Sequence, residues 1–419
     1  MKLGSERWLG HIRELGIFLK WLLYACGIGL LAGAVAAAFH FGIDWATELR
    51  GEHPWVVWLA PVGGVAIVLL YRVCHMEKDQ GTNLVLVAVR EAEPLKLRTA
   101  PLIFLSTILT HLVGGSAGRE GAALQLGGSL AAWVGRGIGL DDKDRRVMVM
   151  CGMAAAFSAL FGTPLTAAVF AMEVVSVGVM YYAALVPCAV ASSVAFLLAR
   201  FLGLHQTLGY PVGEAMALTP LTMLQAAGLG LLCALVSILF CKAMHCAPKL
   251  YARVLPNTLA RAAVGGVLVL LLTLLVGEQT YNGAGDAVIR AMLAGETIPE
   301  AFLLKILFTA VTLGAGFRGG EIVPVLFTGA AFGTTVGPLL GIPHGFGGAM
   351  AMAAVFCGAT NCPMTALLLS LELFGGEGLP LYALCCGVSY MLSGYYGLYS
   401  EQKIVYSKFK TEWIDKKAQ

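Results

Sequence analysis

The sequence predicts an all-α, polytopic membrane protein made of two related halves whose helices break inside the membrane. Three observations carry this. The apolar excess runs the whole length, glycine clusters interrupt stretches too short to cross a bilayer, and one segment recurs about halfway along. Of 419 residues, 58% are hydrophobic and 13% charged, with mean hydropathy +0.79. A soluble domain carries about a quarter charged residues. Apolar stretches here are continuous rather than alternating, which excludes an outer-membrane barrel.

Taken in order, Lys2, Arg7, Arg13 and Lys20 precede the first apolar stretch, and Lys403, Lys408, Lys410, Lys416 and Lys417 follow the last. The positive-inside rule then puts both ends in the cytoplasm, flanking a lipid-embedded body. The apolar run Leu22–Ala38 exceeds a signal-peptide core and lacks a small-residue cleavage site, so no processing is expected. A net charge of +3 with no concentrated basic face gives no reason to expect nucleic acid as a partner. Eleven cysteines, mostly inside apolar stretches and without C-x-x-C, read as reduced, buried small side chains.

Apolar segments run over 15–42, 55–73, 99–113, 122–136, 147–160, 164–176, 180–203, 217–241, 258–276, 302–315, 322–340, 347–358, 363–374 and 379–393. Several are shorter than the roughly 20 residues a helix needs to cross 30 Å. Gly114-Gly115, Gly118 and Gly121 punctuate the first half; Gly314, Gly316 and Gly319-Gly320 punctuate the second. Non-helical backbone at membrane depth survives only inside protein or beside a wet cavity, so these are half-helices meeting within the membrane.

"MAAAFSALFGTPLTAAVFAME" (153–173) matches "MAAVFCGATNCPMTALLLSLE" (352–372) without a gap. Met153 aligns with Met352, Phe157 with Phe356, Pro164 with Pro363, Thr166 with Thr365 and Glu173 with Glu372. A glycine-rich break precedes each copy. The expected organisation is one transport domain over 1–419, with halves at about 15–205 and 215–400, short cytoplasmic ends and no soluble regulatory domain. Such internal duplication with broken helices points to a transporter whose site lies between the repeats.

A half-helix that starts at depth leaves its first backbone N–H groups unpaired and aims its positive dipole end at the cavity. That makes an anion site without a basic side chain. Glu120, in "GGSAGREGAALQLGG" (114–128), then has a purpose. Ionised, it occupies those donors; protonated, it frees them for an anion, which ties anion movement to proton movement. Arg119 and Glu120 need not pair with each other, because helix neighbours do not share a face.

The Gly118-Arg119-Glu120-Gly121 motif, with Gln125 and Gly127-Gly128 after it, resembles the gating-glutamate motif of the CLC family of chloride channels and proton-coupled antiporters. "FGTPLTAAVFAMEV", "GGEIVP" and "GLYS" (397–400) follow in the family's order and extend the likeness over nearly the whole chain. The resemblance implies a CLC-like fold of two inverted repeats with re-entrant helices, and a homodimer with one pathway per subunit. It makes Glu120 the external gate, and Gly118, Arg119, Gly121, Gly320, Ile322 and Val323 the anion-binding backbone. It also makes Tyr399 an inner gate, with Tyr395 and Tyr396 as nearby alternatives. Glu173 and Glu372 are expected to satisfy backbone or dimer contacts, and Thr166 and Thr365 to cap or bond neighbouring helices.

Departures from the family pattern narrow the reading. Where chloride-handling members carry a serine loop, this chain has "DQGTNLVL" (79–86), placing Thr82 or, one residue out of register, Gln80 at the serine. Ala122 replaces the usual proline, Glu321 stands where an apolar residue is expected, and Val174 replaces the internal proton-relay glutamate. These changes resemble the fluoride-exporting branch. Fluoride is small, strongly hydrated and an avid hydrogen-bond acceptor, so donors such as Asn83 and a protonated Glu321 suit it. Glu321 is also the candidate for the proton path; the alternatives are a carboxylate in a cytoplasmic vestibule or one paired with Arg318.

The expected function is therefore proton-coupled fluoride export across the plasma (inner) membrane. Fluoride and protons are the transported species, chloride is carried poorly, and no cofactor or metal is needed. Chloride/proton antiport and a passive anion channel are the alternatives. Gly114-x-Ser116-x-Gly118 also fits a hydrolase nucleophile elbow, with His111 as its one suggestive base. No HExxH or Walker motif is present.

Overall fold

The computed structural model describes residues 2–77, 79–91, 94–204 and 209–419, with side chains from residue 11 onward. The side chains of Lys2 and Arg7, and the boundary residue His205, lie outside the described residues. The first half contributes α1 (Lys2–Glu52), α2 (Ala60–Val73), α3 (Thr82–Glu91), α4 (Thr99–Leu112), α5 (Glu120–Gly137), α6 (Asp142–Phe161), α7 (Pro164–Glu173) and α8 (Leu185–Phe201). The second contributes α9 (Pro220–Val254), α10 (Thr258–Val276), α11 (Asp286–Leu293), α12 (Ala301–Gly314), α13 (Ile322–Val336), α14 (His344–Thr360), α15 (Pro363–Phe374) and α16 (Leu379–Leu392). The two sets match helix for helix as inverted repeats, and one buried apolar core draws on both.

Among the described residues, five helical stretches are long and apolar enough to cross a membrane, and α4, α7, α12, α13, α15 and α16 fall short. Helices α3 and α11 were invisible to a search for apolar stretches because polar and charged residues interrupt both. Helix α1 extends past its apolar run at both ends, since backbone hydrogen bonding continues wherever nothing breaks it. Three short strands depart from the all-α expectation. β1 (Ser176–Val177) pairs in parallel with β2 (Lys403–Tyr406), which pairs antiparallel with β3 (Trp413–Lys417). The polar chain beyond the last helix satisfies its backbone in this way.

Local signals explain the repeated ends. Gly162 and Asn361 close α6 and α14 in the left-handed conformation (φ 73° and 60°). Pro164 and Pro363 then open α7 and α15, where a missing N–H costs nothing. Glycine lets the flanking helices press backbone to backbone. A Cβ on Gly127 of α5 would stand 2.0 Å from the carbonyl oxygen of Gly152 on α6. In the other repeat, a Cβ on Gly333 of α13 would stand 2.3 Å from that of Gly347 on α14.

The repeats are laced together by reciprocal caps. Glu173, ending α7, accepts from the N–H groups of Met364 (3.0 Å) and Thr365 (2.8 Å) and from the Thr365 hydroxyl (2.6 Å). Glu372 on α15 accepts from Leu165 (2.9 Å), Thr166 (2.8 Å) and the Thr166 hydroxyl (2.5 Å). Each acid thus satisfies the orphan donors that start the other repeat's helix. Glu173→Ala and Glu372→Ala are each expected to destabilise by about 1–3 kcal/mol, the cost of leaving such groups unsatisfied. Thermal unfolding in detergent checks this, and unchanged midpoints for both variants would refute the capping role.

Candidate ion site

The two glycine-rich breaks meet backbone to backbone. The Gly118 N–H donates to the Gly320 carbonyl and the Gly320 N–H to the Gly118 carbonyl, both at 2.7 Å, forming an isolated two-residue antiparallel bridge. That bridge brings the N-termini of α5 and α13 into contact: a Cβ on Gly320 would lie 2.5 Å from the Gly121 nitrogen. It also corrects an expectation. Gly118 and Gly320 do not offer their N–H groups to an anion, because each is spent on the other. The unpaired donors are the next ones along.

In α5 the first helical hydrogen bond runs from Ala123 to Arg119 (2.9 Å). The N–H groups of Glu120, Gly121 and Ala122 therefore have no partner one turn back. In α13 the first runs from Val325 to Glu321 (3.0 Å). Ile322 and Val323 are left with free N–H groups, and Pro324 has none to offer.

Glu120 is fully buried at the start of α5. Its Oε2 accepts from the Arg119 N–H at 3.1 Å, and its Oε1 has no hydrogen-bond partner among the described residues. The Arg119 guanidinium does approach it (3.5 Å). Neighbours can pair here because Arg119 precedes the helix (φ −109°) and so escapes the usual rotation between consecutive positions. The same guanidinium reaches outward to His40 Nδ1 (2.7 Å), Asp44 (3.5 Å) and Asp286 (3.8 Å). Arg119 thus meets the carboxylate with both its backbone N–H and its guanidinium, and shares the guanidinium with His40, Asp44 and Asp286.

Thr82 opens α3 and is buried; its hydroxyl donates to the Gly121 carbonyl at 3.3 Å. Gln80, the other register, is exposed. Asn83 is not brought to the cluster. One residue along α3 rotates it by about 100°, and its Oδ1 accepts instead from the Glu401 N–H at 3.1 Å. Gln125, one turn into α5 and buried, lies beside the cluster: its Nε2 donates to the Gly121 carbonyl at 3.4 Å and its Oε1 has no partner among the described residues.

Glu321 caps α13 across from Gly121, whose added Cβ would lie 3.5 Å from Glu321 Oε2 and 3.1 Å from the Thr82 hydroxyl. That Oε2 is enclosed and has no partner among the described residues. Arg318 does not reach it. Arg318 bonds the Asp79 carbonyl (3.3 Å) and stacks 4.2 Å above the Tyr71 ring.

Tyr399 is buried, its hydroxyl has no partner among the described residues, and it lies in electrostatic range of both Glu321 and Glu120. Its segment is pinned by Leu398 N–H to the Ala359 carbonyl (2.8 Å) and by Gln402 Nε2 to those of Val174 (3.0 Å) and Thr360 (2.8 Å). The rivals lie elsewhere, with the Tyr395 hydroxyl on Ser407 (2.9 Å) and Lys242 over the Tyr396 ring. Ser116 is not set against a base: its hydroxyl meets Thr309 (3.0 Å), and among the described residues neither nitrogen of buried His111 has a hydrogen-bond partner. Sequence reading passed over His40 and Asp44. Their spacing of four inside an apolar helix was the available signal, since it puts both on one face.

Inverted repeats whose broken helices present free N-termini beside buried carboxylates define a secondary transporter fold with its site at the repeat interface. Residues 63–394 match the sequence model of the voltage gated chloride channel family, CLC. A "Chloride/fluoride channel protein" of Pseudomonas syringae pv. tomato is 37% identical over 396 residues, covering 93% of this chain and 87% of the relative. The chain resembles the crystal structure of a CLC-type fluoride/proton antiporter with a TM-score of 0.89 and 32% identity, covering 92% of this chain and 98% of that one. A slow cyanobacterial chloride/proton antiporter, 18% identical, shares the fold (TM-score 0.75; 89% and 94% covered). The protein belongs to the CLC family of multi-pass membrane transport proteins.

Proposed function

We propose that this CLC protein is a proton-coupled antiporter that exports fluoride from the cytoplasm in exchange for protons. In this reading it works as a homodimer in the plasma membrane, with both termini cytoplasmic and the Arg119 face outward. The observation that carries it is Glu321: a second acid, half-buried, whose enclosed Oε2 has no partner among the described residues, set against the start of α5 beside Thr82. The 32% identical fluoride/proton antiporter supports the same choice of ion.

Ionised Glu120 lies against the N-terminus of α5 and takes the Arg119 N–H. Protonation weakens that hold, and the carboxyl swings away. The free N–H groups of Gly121, Ala122, Ile322 and Val323 then receive the anion, the Tyr399 hydroxyl donates to it, and the Thr82 hydroxyl does so by giving up its bond to the Gly121 carbonyl. Fluoride, a strong acceptor whose conjugate acid is weak, travels well beside a protonated carboxyl group. Val174 leaves no relay acid at its position, so protons pass from the centre to the cytoplasm through Glu321.

Reconstitution in liposomes with simultaneous fluoride, chloride and proton recording tests this. Uphill proton movement driven by a fluoride gradient, with chloride barely carried, is expected. Equal chloride coupling would favour chloride/proton exchange, and fluoride flux without protons would favour a channel. Glu321→Gln is expected to cut coupled proton movement more than fluoride movement. A variant with wild-type coupling would remove Glu321 from the proton path.

A further inference from the structure

We infer that His40 is a positioning residue that clamps Arg119 across the outer mouth of the Glu120 site and lets go when it gains a proton. Its consequence for transport rests on the antiporter reading; the clamp itself rests on geometry.

Arg119 Nη1 lies 2.7 Å from His40 Nδ1. Guanidinium has no acceptor, so Arg119 must be the donor and His40 Nδ1 the bare acceptor nitrogen. The proton of the neutral ring then sits on Nε2, which lies 3.0 Å from Asp44 Oδ2 and donates to it. One tautomer satisfies both contacts, and it is the neutral one. A second proton on the ring would occupy Nδ1, remove the acceptor and set two cations face to face. Asp44 would still hold the ring, so Arg119 is the partner that moves.

Arg119 has somewhere to go. Asp44 (3.5 Å) and Asp286 on α11 (3.8 Å) lie on its outer side, both partly exposed, while Glu120 lies on its inner side (3.5 Å). Among the described residues, His111 on α4 lies in electrostatic range of Asp44 and Arg119, Tyr210 of Arg119, and Lys305 on α12 of Asp286 and His111. Helices α6 and α8 also pack on α1 and bring no ion pair to His40 among the described residues. Withdrawal of the guanidinium takes the counter-charge from beside the Glu120 carboxylate. External acid therefore acts on the gate twice: directly at Glu120, and through His40 by removing its counter-charge.

The test measures anion flux from liposomes as external pH falls from about 8 to about 5.5, the range in which histidine changes charge. Wild type is expected to rise steeply, with a slope approaching two protons. His40→Gln, which keeps an acceptor that cannot titrate, should give a slope near one and a midpoint shifted about one unit more acid. His40→Ala, with no clamp, should also give a slope near one but several-fold higher flux at neutral pH. A His40→Gln profile that superimposes on wild type overturns the inference.

A second measurement is independent of which ion is carried. The ¹⁵N spectrum of His40 at high pH, assigned by its loss in His40→Gln, should show a bare Nδ1 and a protonated Nε2. The opposite tautomer overturns the clamp. Absence of fluoride flux beside the expected tautomer sinks the antiporter reading and leaves the clamp supported.

Discussion

Glu120→Gln is expected to reduce proton movement to the level of protein-free liposomes while leaving a passive anion flux. The carboxylate is fully buried at the first turn of α5, and its hold on the site is one backbone N–H at 3.1 Å plus the nearby guanidinium. The amide is isosteric and neutral at every pH, so it mimics the protonated side chain permanently. It no longer competes as a charge for the donors at the α5 N-terminus, and the step that requires a proton disappears. Simultaneous anion and proton recording checks this; unchanged stoichiometry would show that coupling resides elsewhere. The variant should fold, since it introduces no new atom contacts.

The second large effect is expected from Gly320→Ala. A methyl group there would meet the Gly121 nitrogen at 2.5 Å, the Gly121 Cα at 3.1 Å and the Glu120 nitrogen at 3.4 Å. All three are backbone atoms, so no rotamer change relieves the clash. The two strands of the bridge must separate, straining or breaking its two hydrogen bonds. Overpacking and lost hydrogen bonds together amount to about 2–5 kcal/mol. More importantly, the N-termini of α5 and α13 would no longer point at one place. Loss of transport and a lower unfolding midpoint are expected. Gly228→Ala on α9, where an added Cβ meets nothing within 4 Å, is the control and should be near wild type. Wild-type flux in Gly320→Ala would show that the bridge is dispensable.

Much of this architecture was legible in the chain itself. The apolar excess and the broken stretches announced re-entrant helices, because bilayer thickness sets a minimum length that they do not reach. The match between 153–173 and 352–372 announced the duplication, and the glycine-rich breaks marked where the two halves meet. Amphipathic α3 and α11 stayed hidden, since their buried faces are too narrow to raise average hydropathy. Asn83 illustrates a different failure. Composition suggested a fluoride donor, but the helix phase that turns it toward Glu401 begins at Gly81, where a positive φ (66°) sets the entry to α3.

Which hydrogen bonds are already spent was also beyond reach of the sequence. Gly118 and Gly320 looked like anion ligands, yet they bond each other, and the free donors lie two to four residues downstream. Arg119 looked like part of the anion cradle, yet its side chain serves His40, Asp44 and Asp286. Spacing along the chain determined that two half-helices begin near one another and that an acid heads the first. Only the tertiary structure decided which N–H groups remain unpaired there and which side chains Arg119 pairs with. The reason is that a hydrogen bond between residues some 200 apart is a property of how the repeats dock, and local periodicity carries no information about it.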